Sequence, residues 1–195
     1  MKKILICGDS FAADWTVKYP GLGWPNLLAN DYDVVNLAQA GVSEYKIYLQ
    51  LKSVNLSKFD YIIVFHTSPN RVYIKKHPVH YNDPLHFNSD LIYNDIKEHS
   101  KSDNSLLDIV KYFESEFDIE YAVLMHTLLC QHIETILSPY NVIHATGINW
   151  SNLYEFNNMI DVSNIASQHL GHLNHFTEQG NLTVYRKILE SLKQI

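Results

Sequence analysis

One serine whose setting could support acyl transfer sits at the end of the first apolar run of this chain. Ser10 closes the run Lys3-Ile4-Leu5-Ile6-Cys7-Gly8-Asp9-Ser10. A serine hydroxyl is a weak nucleophile until a neighbouring base takes its proton, and histidine is the usual base near neutral pH. Gly8 permits a sharp turn after the apolar run. Asp9 and Ser10 are both good helix-start residues, so the Ser10 hydroxyl is expected beside backbone N–H groups that favour developing negative charge.

The elements that must hold such a serine follow from periodicity. Ile4 to Cys7 are apolar without alternation, as in a strand buried on both faces of a parallel sheet. A short helix over Gly23 to Ala29, a strand over Asp33 to Leu37, a helix from Ser43 to about Val54 and a strand over Asp60 to Phe65 follow. Strand, helix, strand, helix, strand implies parallel pairing with right-handed crossovers. Ligands in such sheets bind outside the carboxyl ends of the strands.

His66 to Ser105 interrupts the rhythm with Pro69, Pro78 and Pro84 among many Tyr, His, Asn and Asp. It leaves from the carboxyl end of the third strand and reads as a lid or substrate-binding insertion. Leu106 to Leu137 has strong helical period, with a break near Asp118. Val142 to Ala145 reads as a fourth strand, Asn149 to Phe156 as loop or short helix, and Met159 to Val162 as a short strand or loop. Thr177 to Leu192 reads as a closing amphipathic helix. There is no sign of a repeat or a second domain, so residues 1–195 are expected to form one unit.

Gly8-Asp9-Ser10, Asn36 with Gly41, Asn70 and His175 with Gly180 resemble the ordered blocks of the SGNH/GDSL hydrolases. The resemblance spans nearly the whole chain. It implies a flavodoxin-like three-layer α/β/α sandwich with a central parallel sheet, and esterase, lipase or carbohydrate O-deacetylase chemistry. It also implies Ser10 as nucleophile and His175 as base, with an oxyanion hole built from the N–H groups of Ser10 and Gly41 and the Asn70 amide. Two departures stand out. Where the family has Gly-X-Asn-Asp, this chain has Ser68-Pro69-Asn70-Arg71, and where the family has its triad Asp, this chain has His172. A neutral imidazole can accept a hydrogen bond from His175 but adds no negative charge, so a Ser10–His175 dyad with His172 as orienter is expected. Asp161, Glu178 and Asp14 are the carboxylates that might replace the missing one. Asp9, Arg71, Tyr73 and Tyr81 are expected to contact substrate.

The expected substrate is a small-molecule ester, with an acylated carbohydrate foremost. The alternative is a degenerate member that binds a glycan or partner without turnover. A net charge of -6 and no Lys/Arg cluster exclude a nucleic-acid footprint. No apolar run is long enough for a membrane span. The opening apolar run is too short for a secretory signal, which points to a cytoplasmic protein. Cys7 and Cys130 lie in apolar runs and read as buried reduced thiols. His169, His172 and His175 recur every third residue, but without a supporting pattern no metal and no cofactor is expected.

Overall fold

A computed structural model describes residues 1–148, 154–157 and 159–195. Most of the segment read as loop or short helix, residues 149–153, lies outside the described residues.

Along the chain run β1 (Lys3–Gly8), α1 (Trp24–Leu28), β2 (Asp33–Asn36), α2 (Glu44–Lys52), β3 (Tyr61–His66) and α3 (Tyr93–Ser100). Then come α4 (Leu107–Ser115), α5 (Ile119–Leu137), β4 (Val142–Thr146), β5 (Met159–Asp161), α6 (Ser163–Gln168), β6 (Leu170–Leu173) and α7 (Glu178–Leu192). The first five strands form one sheet in the order β2-β1-β3-β4-β5, and every neighbouring pair is parallel. This is the flavodoxin-like order, whose topological switch point lies between β1 and β3. The crevice at that switch is bounded by the loops that carry Ser10 and Asn70.

The unbroken apolar strands follow from burial on both faces. In β1, Ile4 and Ile6 face Trp24, Phe65, Phe176, Val184 and Ile188 beside α1 and α7. Leu5 and Cys7 face Ile47, Leu51, Ile133 and Leu137 beside α2 and α5. Each such aliphatic side chain stabilises the fold by roughly 1.5–3 kcal/mol. Three layers result, and the last turn of β1 is pinned between them. The helical run expected over 106–137 splits at Asp118, whose carboxylate accepts the N–H groups of Glu120 and Tyr121 and so starts α5 anew.

The segment 66–105 is packed rather than loose. It carries α3, whose Ile96 packs with Leu91 against Leu106 and Val110 at the start of α4 in a small core. Val72 and Leu91 pair as an antiparallel bridge. Asp90, buried, accepts the N–H groups of Ser43 at 2.7 Å and Ile74 at 2.9 Å and pairs with Lys46 at 2.8 Å. These bonds tie the segment to the start of α2. Among the described residues no helix is long and apolar enough to cross a membrane.

Candidate active site

Gly8 ends β1 with φ +151°, and a Cβ there would lie 2.7 Å from the Phe65 Cβ and 2.8 Å from its carbonyl oxygen. Only glycine lets the strand end this close to β3. Gln50 reads the same peptide from α2, accepting the Gly8 N–H at 2.7 Å and donating to its carbonyl at 3.1 Å. The chain then turns through Ser10. The Trp15 indole donates to the Ser10 carbonyl at 2.8 Å, and the Trp24 indole to the Phe11 carbonyl at 2.7 Å. Asn36 and Asn174 donate to the Ala12 and Ala13 carbonyls, both at 2.8 Å. With its carbonyls tied down, the turn is fixed from outside.

His175 arrives on the turn after β6. Its Nε2 lies 2.7 Å from the Ser10 Oγ. This is the separation of a hydroxyl donating to a neutral imidazole. Asn174 and His175 both take positive φ, 52° and 65°. Left-handed backbone at consecutive non-glycine residues costs about 1–3 kcal/mol each and persists only where the surroundings enforce it. Here the Asn174 amide bonded to the Ser10 turn supplies that enforcement. The rings of Phe11, at 4.6 Å, and Trp15, at 5.2 Å, flank the imidazole. Burial lowers the pKa of His175, partly opposed by the charge of nearby Asp9, so the ring is held neutral and basic.

The expected oxyanion donors have no competing acceptor among the described residues. Neither the Ser10 N–H nor the Gly41 N–H makes a hydrogen bond. Gly41 takes φ +77°, and a Cβ there would lie 2.6 Å from that of Ser89, so no side chain fits. Asn70 accepts the Ser68 hydroxyl on its Oδ1. That bond fixes which end of the amide is spent and leaves its NH₂ to donate.

The departures from the family pattern have physical counterparts. Arg71 donates to the Val42 carbonyl at 2.7 Å and to Asp9 at 3.1 Å. Asp9 is fully buried, burial pushes its carboxyl up against the pull of Arg71, and it also accepts the Phe11 N–H at 3.0 Å. Asp9 therefore faces Arg71 and the turn that carries Ser10. His172 departs from expectation. Its side chain is exposed and stacks on Tyr19 at 6.1 Å, and only its carbonyl meets the backbone N–H of His175, at 3.4 Å. Glycine and asparagine flanks let this turn curl tightly, so the rings of His172 and His175 point to different neighbours. Among the described residues nothing bonds the His175 Nδ1. Asp14 is spent on Thr16 and Asn26, and Asp161 on the Ser163 N–H. No bond joins Glu178 to His175.

A cleft of about 620 Å³ opens on the α2/α5 side of the same sheet edge. Tyr45, Tyr73, Tyr112, Phe117, Tyr121 and Met125 give it an aromatic, apolar wall. Ser10 and His175 do not line it. It joins the site through Ser68 and Arg71, which line it and touch Asn70 and Asp9. Tyr73 thus faces this cleft, whereas Tyr81 is 48% exposed beneath the Lys76 ammonium and lies outside it.

His77, His80 and Asp95 in the insertion cluster closely enough to suggest metal ligation. The buried His77 Nδ1 accepts two backbone N–H groups, from Val79 at 3.2 Å and His80 at 3.1 Å. In the neutral ring Nε2 therefore carries the proton, and a ring so bonded is a poor ligand. Sequence reasoning missed Gln50, Asn174 and the buried group around Glu44, since side chains that bond distant peptides leave no local spacing to read.

Comparison with known proteins agrees with the fold. A solved structure from Desulfitobacterium hafniense DCB-2, described as lipolytic and of the G-D-S-L family, superposes with a TM-score of 0.53 at 12% identity. The match covers 98% of this chain and 99% of that one. The chain has the α/β fold of the SGNH/GDSL hydrolases. No family model and no curated protein matches the sequence.

Proposed function

We propose that this protein is a serine ester hydrolase in which Ser10 and His175 work as a dyad on a small acyl ester, with O-acetylated carbohydrate the expected substrate class. One observation carries the reading: the 2.7 Å contact between the Ser10 Oγ and the His175 Nε2, at a strand end with unspent N–H donors. In the first half-reaction Ser10 attacks the acyl carbon as its proton passes to the His175 Nε2. The tetrahedral oxyanion takes hydrogen bonds from the N–H groups of Ser10 and Gly41 and from the Asn70 amide. Collapse breaks the bond to the leaving alkoxide, which receives the proton from His175. Water then attacks the acyl-enzyme, His175 takes its proton, and Ser10 leaves with that proton as the acid is released. Asp9 adds negative charge near the imidazolium, reduced by its pairing with Arg71. The aromatic cleft offers Tyr rings against which a sugar ring can stack.

A second reading, a protein that binds a glycan or partner without turnover, draws support from the lack of a carboxylate at the His175 Nδ1 among the described residues. A fluorophosphonate probe separates the two. Labelling of the wild type, with none in Ser10→Ala and strong loss in His175→Ala, is expected. Equal labelling of wild type and Ser10→Ala removes Ser10 from the mechanism and leaves the binding reading.

A further inference from the structure

Glu44, the first residue of α2, is 3% exposed and has no Lys or Arg partner among the described residues. Imidazoles surround it instead. His66 Nδ1 lies 2.7 Å from one carboxylate oxygen. The other oxygen accepts the Thr67 N–H at 3.2 Å and lies 3.5 Å from the His126 Nε2. That same Nε2 lies 2.9 Å from the Thr67 carbonyl, so it carries a proton and donates. Beyond it, His126 Nδ1 meets the Cys130 thiol at 3.6 Å, while His66 Nε2 meets the His144 Nδ1 at 2.9 Å. Phe156 stacks on both His66 and His144 and closes the group from one side. A carboxylate this deep is costly to bury without several hydrogen bonds to offset its lost hydration.

The group grips one peptide segment. Thr67 is held at its N–H by Glu44 and at its carbonyl by His126. The next residue, Ser68, holds the Asn70 Oδ1, and the third after that, Arg71, is anchored on Val42 and Asp9. Hydrogen bonds from α2 and α5 hold the Thr67 peptide groups, and through the backbone to Ser68 and its hydroxyl they connect to the amide of Asn70.

We propose that Glu44 is a positioning residue for the oxyanion donor Asn70, acting with His126 through Thr67 and Ser68. The proposal rests on the hydrolase reading above. A donor displaced by about 1 Å can lower turnover by roughly 100-fold. Glu44→Gln preserves shape and removes the charge. It is expected to lower kcat on p-nitrophenyl acetate by about 10- to 100-fold with little change in KM. Amide hydrogen exchange should accelerate at residues 67–71 and stay unchanged in β1 and β4. The decisive measurement is a double-mutant cycle. In an Asn70→Ala background, Glu44→Gln should cost almost nothing further, because its effect passes through the amide already removed. If Glu44→Gln lowers kcat by the same factor in both backgrounds, or leaves exchange at 67–71 untouched, the proposal is overturned while the hydrolase reading stands. If the wild type turns over no ester, the hydrolase reading falls and this proposal with it. Should Glu44→Gln fail to fold, His126→Ala, which deletes the grip on the Thr67 carbonyl, carries the same cycle with the same outcomes.

Discussion

A histidine that serves a serine as base must present one nitrogen bare and the other protonated. In this protein the bare nitrogen is fixed by the Ser10 contact, whereas the far nitrogen of His175 has no hydrogen-bond partner among the described residues. His172, the residue in the family's acidic position, has turned its ring to Tyr19. His172→Ala is therefore expected to change kcat by less than about twofold, well short of the 10⁴-fold loss when a protease loses its triad carboxylate. His172→Asp is expected to bring no gain, since a shorter side chain on the same backbone points the same way. A tenfold change in either variant, measured by steady-state ester hydrolysis, would return His172 to the mechanism. Burial lowers the His175 pKa from 6.5, so the acid limb of kcat/KM should have its midpoint below that value. A midpoint above 6.5 would mean that a carboxylate partner supports the imidazolium. At this scale the sequence was informative where chemistry restricts residue type. Ser10 and His175 could be paired because each falls in a block that resembles the SGNH/GDSL pattern, whereas eleven histidines alone do not single one out. The supports of the turn could not, because indole and amide bonds to distant carbonyls impose no spacing.

The same contrast runs through the elements. Continuous apolar strands and 3.6-residue periods made β1 to β4, α2, α5 and α7 legible, because the central strands bury both faces and the helices one consistent face. Segment 66–105 was legible only as a lid or substrate-binding insertion without internal elements, because its order comes from side chains bonding peptides at a distance. Asp90 is the clearest case, joining Ser43, Ile74 and Lys46 in one buried cluster. Removing one partner of a buried, hydrogen-bonded pair costs about 3–5 kcal/mol. Asp90→Ala should lower the free energy of unfolding in urea by an amount of that order. A loss under about 1 kcal/mol would show that the segment moves independently of α2, as a lid would. The short β5 and α6 were legible only in part or not at all, being too brief to show a period.

Across the whole molecule, the number of buried histidines gives stability a defined response to acid. Burial pushes the pKa of His77 down to about 4 and that of His144 down to about 3, from 6.5. The unfolded chain binds protons at these positions before the folded chain does, so their contribution is present above pH 6.5 and is lost as pH falls toward 4 and 3. His126 acts in the opposite sense. Its pKa is raised by its bonds to Glu44 despite burial, so its contribution is full below 6.5 and fades as pH rises past the raised value. Glu44 is held low by His66 and His126 and loses its part only in strong acid. The melting temperature should fall steadily from about pH 7 to about pH 4.5, followed by circular dichroism. A flat profile over that interval would mean that His77 and His144 are not buried in solution.

The reacting pair is separated by 165 positions, nearly the full span of the chain. Ser10 is synthesised 165 residues before His175, which comes with the strand-and-turn ahead of α7. An incomplete chain can own its nucleophile, its strand end and its glycine turn, and still have no base. On the proposed hydrolase reading, chemistry must wait for both segments to dock, and a reactive probe added during synthesis or refolding would mark the moment of completion.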